Sequence, residues 1–232
     1  MEEKIKVQKL LSELGICSRR EGEKLIEKGL IKVNKQVVLL GDRCSRNDLI
    51  EINGKKVEIK KIKHEYYVLN KPRNCICTLK DPENRKTIYQ VMNLKGHYFS
   101  VGRLDFNTTG VIIITNDGEF KNKLEHPSNN LKREYIVNLE KELDEKNLRY
   151  LNSNFVKLNG KYSKQIVKPI APLKYSVTLW EGRNHHVKNL FLLVNNYVTS
   201  LHRKAYGSIT DKNLKIGMFR ALSEDEVNEL KK

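Results

Sequence analysis

The chain has 232 residues, which corresponds to one or two domains of ordinary size. Its 44 Lys and Arg against 28 Asp and Glu give a formal net charge of +16, which is typical of proteins with a polyanionic partner such as nucleic acid. No apolar run approaches the ~20 residues that a membrane-spanning helix needs. The charged N-terminal segment lacks the apolar stretch of a secretory signal. We therefore expect neither a membrane protein, a secreted protein nor a disordered chain.

The cysteines and histidines suggest no metal site. Neither residue type shows the spacing of common zinc motifs, because there is no CxxC pair, H-x-x-x-H or H-E-x-x-H. A chain of this length needs no disulfides for stability, so Cys17, Cys44, Cys75 and Cys77 are expected to be reduced thiols in a cytoplasmic protein. Since a phosphate-binding loop and a dinucleotide fingerprint are also missing, we expect no cofactor.

The first sixty residues have the pattern of a small domain. Apolar residues at helical spacing between Val7 and Leu14 predict an amphipathic helix that ends at Gly15. Ser18 to Glu21 predicts a capping box that opens a second helix. Two hairpins follow, the second with a strong Asn-Gly turn. The polar segment at 60–65 is the best boundary, which predicts domains at 1–62 and 63–232.

One face of the second helix is basic. Arg20, Lys24 and Lys28 follow at i, i+4 and i+8 and project within about 80° of one another. Such faces are commonly just solvated, but the net charge of +16 favours phosphate contact. Residues 4–60 resemble the S4 RNA-binding domain, whose G-x-x-S-R-R and V-N-x-x-V-V patterns occur at 15–20 and 33–38. The resemblance implies docking on structured RNA. The residues expected to contact RNA are Arg19, Arg20, Lys24 and Lys28.

Residues 63–232 alternate predicted strands with short helices. The helices are expected at Glu119 to Leu124, from Val187 to Val194, and after a capping box at Ser223. The strands are expected at 67–69, 111–115, 136–139, 155–158, 165–167 and 175–179. Strands outnumber helices, so the predicted fold class is α+β: a small S4-like domain followed by a mixed, mostly antiparallel sheet with flanking helices.

The loop before strand 111–115 carries a candidate reactive carboxylate. It reads Gly102-Arg103-Leu104-Asp105 and continues through Thr109-Gly110 into a rigid buried strand, a suitable platform for a catalytic group. Taken alone, the Arg and Asp of this motif are more often a salt bridge within a loop. A glycosidase would need a second, partnered carboxylate, and none is obvious nearby.

Further motifs follow in a recognisable order. Lys-Arg-Glu-Tyr stands at 132–135, Glu-Gly-Arg-Asn-His-His-Val-Lys-Asn-Leu-Phe at 181–191 and Leu-His-Arg at 201–203. Together with the Asp105 loop, these motifs resemble the pseudouridine synthases of the RsuA type, and the S4-like segment extends the resemblance over nearly the whole chain. One departure stands out: His186 occupies the place where these enzymes usually carry Gln.

The resemblance implies an activity as well as the pseudouridine synthase fold. Such enzymes break the N1–C1′ bond of uridine, turn the uracil and rejoin it through C5, without a cofactor. Asp105 is then the essential carboxylate; whether it attacks the sugar or the base, or removes a ribose proton, is left open. Lys188 is the expected cation beside it. Tyr135 is expected to stack on the uracil and help to remove the C5 proton.

Other residues are expected to contact the RNA. By the resemblance, Arg103 enters the base stack that the target nucleotide vacates. Arg183 and His185 are expected to line the phosphate or base side of the pocket. Lys71, which precedes Pro72, is a further candidate for such a contact, although an ordinary solvated lysine is the favoured expectation.

The motifs also favour one substrate over another. Two motifs are closer to those of the small-subunit enzymes: Glu-Gly-Arg-x-His-x-Val-Lys and Leu-His-Arg. They predict 16S ribosomal RNA or a small-subunit assembly intermediate as the partner. We also expect a monomeric protein without a membrane partner. The main alternative is a large-subunit (23S) enzyme of the same family. A third possibility is a non-catalytic rRNA-binding protein that acts in ribosome assembly on a decayed synthase scaffold.

Overall fold

The structure, a computed structural model, describes residues 4–59, 63–79 and 81–232. The chain divides into two compact units. Unit 1 contains Met1–Glu65 with 95–99 and 116–118, and unit 2 contains the remaining residues. The predicted boundary after residue 62 falls at 60–62, outside the described residues, so the predicted domain limits stay a prediction.

Unit 1 is built from two short helices and small sheets. In chain order its elements are β1 (Ile5–Lys6), α1 (Val7–Glu13), α2 (Arg19–Glu27), β2 (Ile31–Val33), β3 (Gln36–Val37), β4 (Arg43–Cys44), β5 (Ile50–Ile52) and β6 (Lys55–Lys56). Strands β3, β2, β5 and β6 form a four-stranded sheet in that order, and β1 pairs with β4.

Local signals explain both helices of unit 1. Val7, Leu10 and Leu11 of α1 are fully buried in its core, as their spacing predicts. The Ser18 side chain accepts a hydrogen bond from the backbone N–H of Glu21 and so caps α2. Gly29, with φ of +67°, follows the end of α2 in the left-handed conformation that glycine adopts without strain.

Unit 2 is organised around one large sheet, and only Phe99 and Gly118, the first residues of two of its elements, are counted with unit 1. Its elements are β7 (Tyr66–Lys71), α3 (Ile88–Met92), β8 (Phe99–Val101), β9 (Thr109–Thr115), α4 (Gly118–Glu125), a 3₁₀ turn (Pro127–Asn129), β10 (Arg133–Leu139), α5 (Glu145–Leu151), β11 (Lys157–Leu158), β12 (Lys161–Tyr162), β13 (Gln165–Ala171), β14 (Lys174–Leu179), α6 (His186–Leu192), β15 (Val198–Tyr206), β16 (Ile209–Thr210), β17 (Phe219–Ala221) and α7 (Glu224–Lys231).

The sheet is mixed and mostly antiparallel. Its strand order is β13-β14-β10-β15-β9-β7-β17, with β16 added to β15 and β8 added to β9. The pairing of β15 with β9 is parallel, whereas β14, β15 and β7 pair antiparallel with their other neighbours along this path. The α+β fold class predicted from the sequence is therefore confirmed.

Some elements differ from the predicted ones. The expected strand at 155–158 is reduced to the two residues of β11, which pair with β12 in a small hairpin. Helices α3 and α5 were not predicted, although Thr87 and Asp144 cap them with the side chains that such positions prefer. Both helices are short, five and seven residues, so their apolar periodicity is too brief to be distinctive.

Two kinds of feature are absent from the described residues. None of the helices there has the length and apolar character needed to cross a bilayer. That same part of the chain contains no group of three or more His, Cys, Asp or Glu placed to hold a metal ion. The four cysteines are free thiols.

Candidate active site

The Asp105 loop leads into the most buried strand of unit 2. Every residue of β9 is buried, so the strand is a rigid support for the loop before it. Gly110 lies against β15 with φ of +115°, and a Cβ atom there would stand 2.2 Å from the carbonyl oxygen of Arg203. Only glycine allows this approach, which holds the end of the loop close to β15.

Two side chains from a distant segment meet the Asp105 carboxylate. Lys188 Nζ lies 2.6 Å from Asp105 Oδ2, and His185 Nδ1 lies 3.1 Å from the same oxygen. His185 has φ of +50°, a left-handed conformation that His tolerates better than most residues, and it occupies the position before α6, where its side chain contacts Asp105 and makes no capping hydrogen bond. The carboxylate remains accessible, since 31% of the Asp105 side chain is exposed.

This environment keeps the carboxylate ionised. Burial by itself would raise the pKa of Asp105, but the hydrogen bond and charge of Lys188, together with His185, outweigh it and hold that pKa below its ordinary value. Asp105 is therefore negatively charged at neutral pH. The expected pairing of Asp105 with Lys188 is present in the structure.

Lys71 anchors the Asp105 loop through the loop's backbone carbonyls. Its side chain is fully buried, and Nζ donates to the carbonyl oxygens of Asp105 at 3.0 Å, Thr108 at 2.9 Å and Pro72 at 3.1 Å, with Phe106 at 3.4 Å. Burial lowers the pKa of Lys71. The prediction of a solvated lysine is wrong, because the carbonyl groups of a loop more than thirty residues away replace the water around the ammonium group.

Two neighbours of Lys71 hold the same loop. The backbone N–H of Asn74 donates to the carbonyl oxygen of Phe106 at 3.0 Å. The Cys77 thiol lies 3.3 Å from the carbonyl oxygen and 3.4 Å from the backbone nitrogen of Leu104. The backbone from 104 to 108 is thus fixed at several points before any substrate binds.

Arg183 makes its hydrogen bonds within the protein. Its guanidinium group donates to Glu181 Oε1 at 2.6 Å and to three backbone carbonyls of the β11–β12 hairpin. These carbonyls belong to Leu158, Lys161 and Tyr162. Arg183 therefore joins the hairpin to the segment that carries His185 and Lys188.

His186 is buried in a hydrogen-bonded chain. Gln165 donates its amide to the carbonyl of Leu151 at 2.5 Å, so its Oε1 accepts the Ser163 hydroxyl proton at 2.7 Å. A hydroxyl has a single proton, so Ser163 Oγ must accept from His186 Nε2–H, 2.8 Å away. This assigns the proton of the neutral imidazole to Nε2. The chain attaches the first turn of α6 to the strand region around Gln165.

Tyr135 lies on the strand next to the one that contacts Gly110. It is 8% exposed and pairs in register with Arg203, which in turn pairs with Gly110 across the parallel strands. Tyr135, Arg203 and Gly110 thus form one row across β10, β15 and β9. The row places Tyr135 two strands from the end of the Asp105 loop, about 10 Å at the usual strand spacing.

The chain is similar to known proteins over nearly its whole length. Residues 65–193 match the model of the RNA pseudouridylate synthase family, and residues 5–50 match the S4 domain. The chain belongs to the RNA pseudouridylate synthase family. It is an RNA pseudouridine synthase with an S4 domain, as the motifs predicted.

Three relatives illustrate the range of the match. Ribosomal large subunit pseudouridine synthase B of Bacillus subtilis is 33% identical, over 97% of this chain and 95% of that protein. Dual-specificity RNA pseudouridine synthase RluF of Escherichia coli is 30% identical, over 97% of this chain and 78% of that protein. A crystal structure of a pseudouridylate synthase superposes with a TM-score of 0.70 at 26% identity, covering 97% of this chain and 99% of the other. The family is thus confirmed, whereas these relatives do not single out the RsuA type.

The remaining cations predicted to contact RNA lie on the surface of the synthase. Arg103, beside the Asp105 loop, is exposed. Four cations on and beside α2 of unit 1 are also exposed: Arg19, Arg20, Lys24 and Lys28. Their accessibility is compatible with contacts to phosphate groups.

A second cluster of hydrogen-bonded side chains lies at the start of β9. His202 Nδ1 lies 2.8 Å from Thr109 Oγ1, and its Nε2 lies 2.7 Å from Asp211 Oδ2. These contacts connect β15 to β9 and to the segment after β16. Thr109 and His202 also border a cavity of about 460 Å³, whose wall further includes Arg73, Ser200, Leu201 and Ile216.

Lys71→Met tests the anchoring of the loop. The variant keeps the length of the side chain but removes the ammonium group that donates to four backbone carbonyls, so we expect the free energy of unfolding in urea to fall by about 2–4 kcal/mol. Pseudouridine formation should fall as well. As a control, Lys168→Met on the exposed face of β13 should change stability by less than about 0.5 kcal/mol. Equal stability of the two variants would contradict the anchoring role.

His186→Gln tests the neutral state of the buried imidazole. Burial is the main reason that the pKa of His186 is lowered to about 4, with Arg183 and Arg133 acting in the same direction and Glu181 opposing them. Because the unfolded chain takes up this proton near pH 6.5, the stability due to neutral His186 is lost as the pH falls from there towards 4. Between pH 7 and 4.5, the free energy of unfolding of the wild type should fall by about 2 kcal/mol more than that of the Gln variant, as measured by urea unfolding. Identical pH profiles would refute this.

Proposed function

We propose that this synthase converts a specific uridine of large-subunit ribosomal RNA to pseudouridine, with Asp105 as its essential carboxylate. The observation that carries the proposal is the contact of 2.6 Å between Lys188 Nζ and Asp105 Oδ2. Asp105 lies on a loop whose backbone carbonyls are bonded to Lys71. An ionised carboxylate that is partly exposed and held in place can act on a nucleotide brought to it.

The chemistry moves a bond within one nucleotide. The N1–C1′ bond breaks, the uracil turns, a C1′–C5 bond forms, and the proton on C5 is finally replaced by one on N1. Asp105 serves the cleavage step, and Lys188 and His185 keep its charge in place. Tyr135 packs against the uracil, and its hydroxyl assists removal of the C5 proton.

The target nucleotide must leave its base stack to reach Asp105. Eversion costs a few kcal/mol of stacking and pairing energy, least where the RNA is already unpaired. Arg103 is exposed only two residues from Asp105, and its planar guanidinium can occupy the vacated place in the stack. We assign Arg183 a positioning role, because the structure directs its hydrogen bonds to the hairpin and to Glu181.

Unit 1 supplies sequence-independent affinity in this proposal. The exposed cations Arg19, Arg20, Lys24 and Lys28 contact phosphates of folded RNA, and shape selects the docking site. His185, which is half-exposed beside Asp105, is close enough to contact the substrate as well.

The choice of subunit follows the named relatives. The motifs at 181–188 and 201–203 predicted 16S ribosomal RNA, but relatives from Bacillus subtilis and Salmonella typhi, 33% and 36% identical, are both named large-subunit synthase B. Those relatives support the large-subunit alternative better than the small-subunit prediction. The substrate is therefore proposed to be 23S ribosomal RNA, free or in a precursor particle.

The proposal is tested with RNA labelled with tritium at C5 of uridine. The purified protein should release tritium from 23S but not from 16S ribosomal RNA, and Asp105→Asn should release none. Deletion of the gene should remove one pseudouridine from 23S ribosomal RNA, mapped by carbodiimide modification and primer extension. Release from 16S alone would restore the small-subunit prediction. Tight RNA binding without release from either RNA would favour the non-catalytic assembly protein.

Lys188→Met tests the charge pair through the pH profile. Without the ammonium group, the burial that raises the pKa of Asp105 is opposed by His185 alone, so the acid limb of kcat/KM should move to higher pH than in wild type. Lys188→Arg keeps the charge and should leave that limb at low pH. The measurement is tritium release between pH 4 and 8, and a limb that Lys188→Met does not move would remove Lys188 from this role.

A further inference from the structure

The β11–β12 hairpin presents an aromatic ring to solvent. Asn159 and Gly160 form its two-residue turn with φ of +51° and +75°, the left-handed values that the tight hairpin turn requires. Lys157 and Tyr162 are directly paired across the strands, and Lys157 Nζ lies 4.5 Å from the centre of the Tyr162 ring. Tyr162 is 63% exposed. Lys157 therefore covers one face of the ring and leaves the other open.

The hairpin is held rigidly by the segment that completes the Asp105 site. Arg183 donates to the carbonyls of Leu158, Lys161 and Tyr162. The residue after Tyr162 is Ser163, which is buried and bonded to His186. Arg183 is only two residues from His185, a span of at most ~7 Å, and His185 contacts Asp105. The hairpin that carries the ring is thus joined through Arg183 to the segment that contains His185.

The surroundings of the ring are basic. Lys161 and Lys164 are exposed on either side of Tyr162 in the chain, and Lys164 Nζ lies 5.4 Å from the ring centre of Trp180. An exposed ring beside lysines is an arrangement by which proteins bind unpaired nucleic acid, because a base stacks on the ring and its phosphates contact the cations. A protein partner with an apolar patch would gain little from so many lysines.

We propose that Tyr162 and Lys157 form a stacking site for an unpaired base of the substrate RNA that flanks the target uridine. The base lies on the open face of Tyr162, and the neighbouring lysines neutralise its phosphates. The inference rests on the proposed function in taking RNA as the ligand, but it assigns a separate subsite on the hairpin that takes no part in the chemical step.

Binding is measured with fluorescein-labelled oligouridine and the full chain, by fluorescence anisotropy. Loss of one stacked base predicts that Tyr162→Ala weakens binding about 5- to 150-fold, whereas Tyr162→Phe keeps the ring and binds as wild type. Tyr197→Ala is the matched control, because Tyr197 is 60% exposed but does not belong to the hairpin, and it should leave the affinity unchanged. Thermal unfolding confirms that each variant is folded.

Two further readouts separate stacking from a merely structural role. An oligouridine that contains 5-iodouridine should form a photo-crosslink whose peptide maps to Tyr162. In tritium release, Tyr162→Ala should raise KM and leave kcat near the wild-type value. Unchanged affinity of Tyr162→Ala with no crosslink in the hairpin overturns the proposal, and so does a fall in kcat at constant KM.

The subsite and the proposed function can fail separately. If wild type releases tritium from ribosomal RNA but Tyr162→Ala behaves as Tyr197→Ala, the function stands and the stacking site is refuted. If no RNA releases tritium but Tyr162→Ala alone loses affinity for oligouridine, the subsite stands and the proposed isomerisation fails.

Discussion

The convergence of two lysines on one loop is the constraint on which the site depends. Lys188 acts on the carboxylate of Asp105, whereas Lys71 acts on the backbone carbonyls of the same loop. A fully buried lysine is rare, because loss of hydration costs several kcal/mol unless other dipoles replace the water. Here the carbonyls of Asp105, Phe106 and Thr108 do so, and in return the lysine fixes their orientation. The carboxylate is therefore positioned before the nucleotide arrives, which is how fixed charges stabilise a transition state most effectively.

The segment 181–188 connects this loop to the rest of unit 2. His185 and Lys188 point to Asp105, while Arg183 and His186 make hydrogen bonds to the hairpin and to Ser163. These four residues lie within six positions of one another in the chain, so a short segment links the hairpin to the cation beside the carboxylate. The burial of His186 gives this connection a further property: it is stable while the imidazole is neutral, because protonation of the buried Nδ1 atom in acid would place a charge away from water.

The reaction explains why positioning dominates the site. An isomerisation transfers no group between molecules, so in the proposed function the protein has to hold the RNA, evert one base and present the Asp105 carboxylate to it. The net charge of +16 provides the attraction for the polyanion. The exposed basic face of α2 and the basic surroundings of Tyr162 offer separate places for that attraction within units 1 and 2.

Much of the molecule could be predicted from short stretches of sequence. The helix caps at Ser18 and Ser223, the Asn53-Gly54 turn and the buried strand after Gly110 depend on neighbours within a few residues, and the structure contains each of them. The ordered motifs also identified Asp105 and Lys188 as partners, because a resemblance over nearly the whole chain carries three-dimensional information. The two unpredicted helices had correct caps but too few turns for a periodic signal.

The surroundings of Lys71, Arg183 and His186 were decided only by the tertiary structure. Lys71 bonds to carbonyls 34 to 37 residues away, and Arg183 bonds to carbonyls more than 20 residues away. Backbone carbonyls occur at every position and carry no sequence pattern, so the residues that supply them cannot be recognised in the sequence. By itself, the sequence determined the elements and the reactive groups. Folding determined which charged side chains were taken out of water, because that depends on the distant backbone that packs around them.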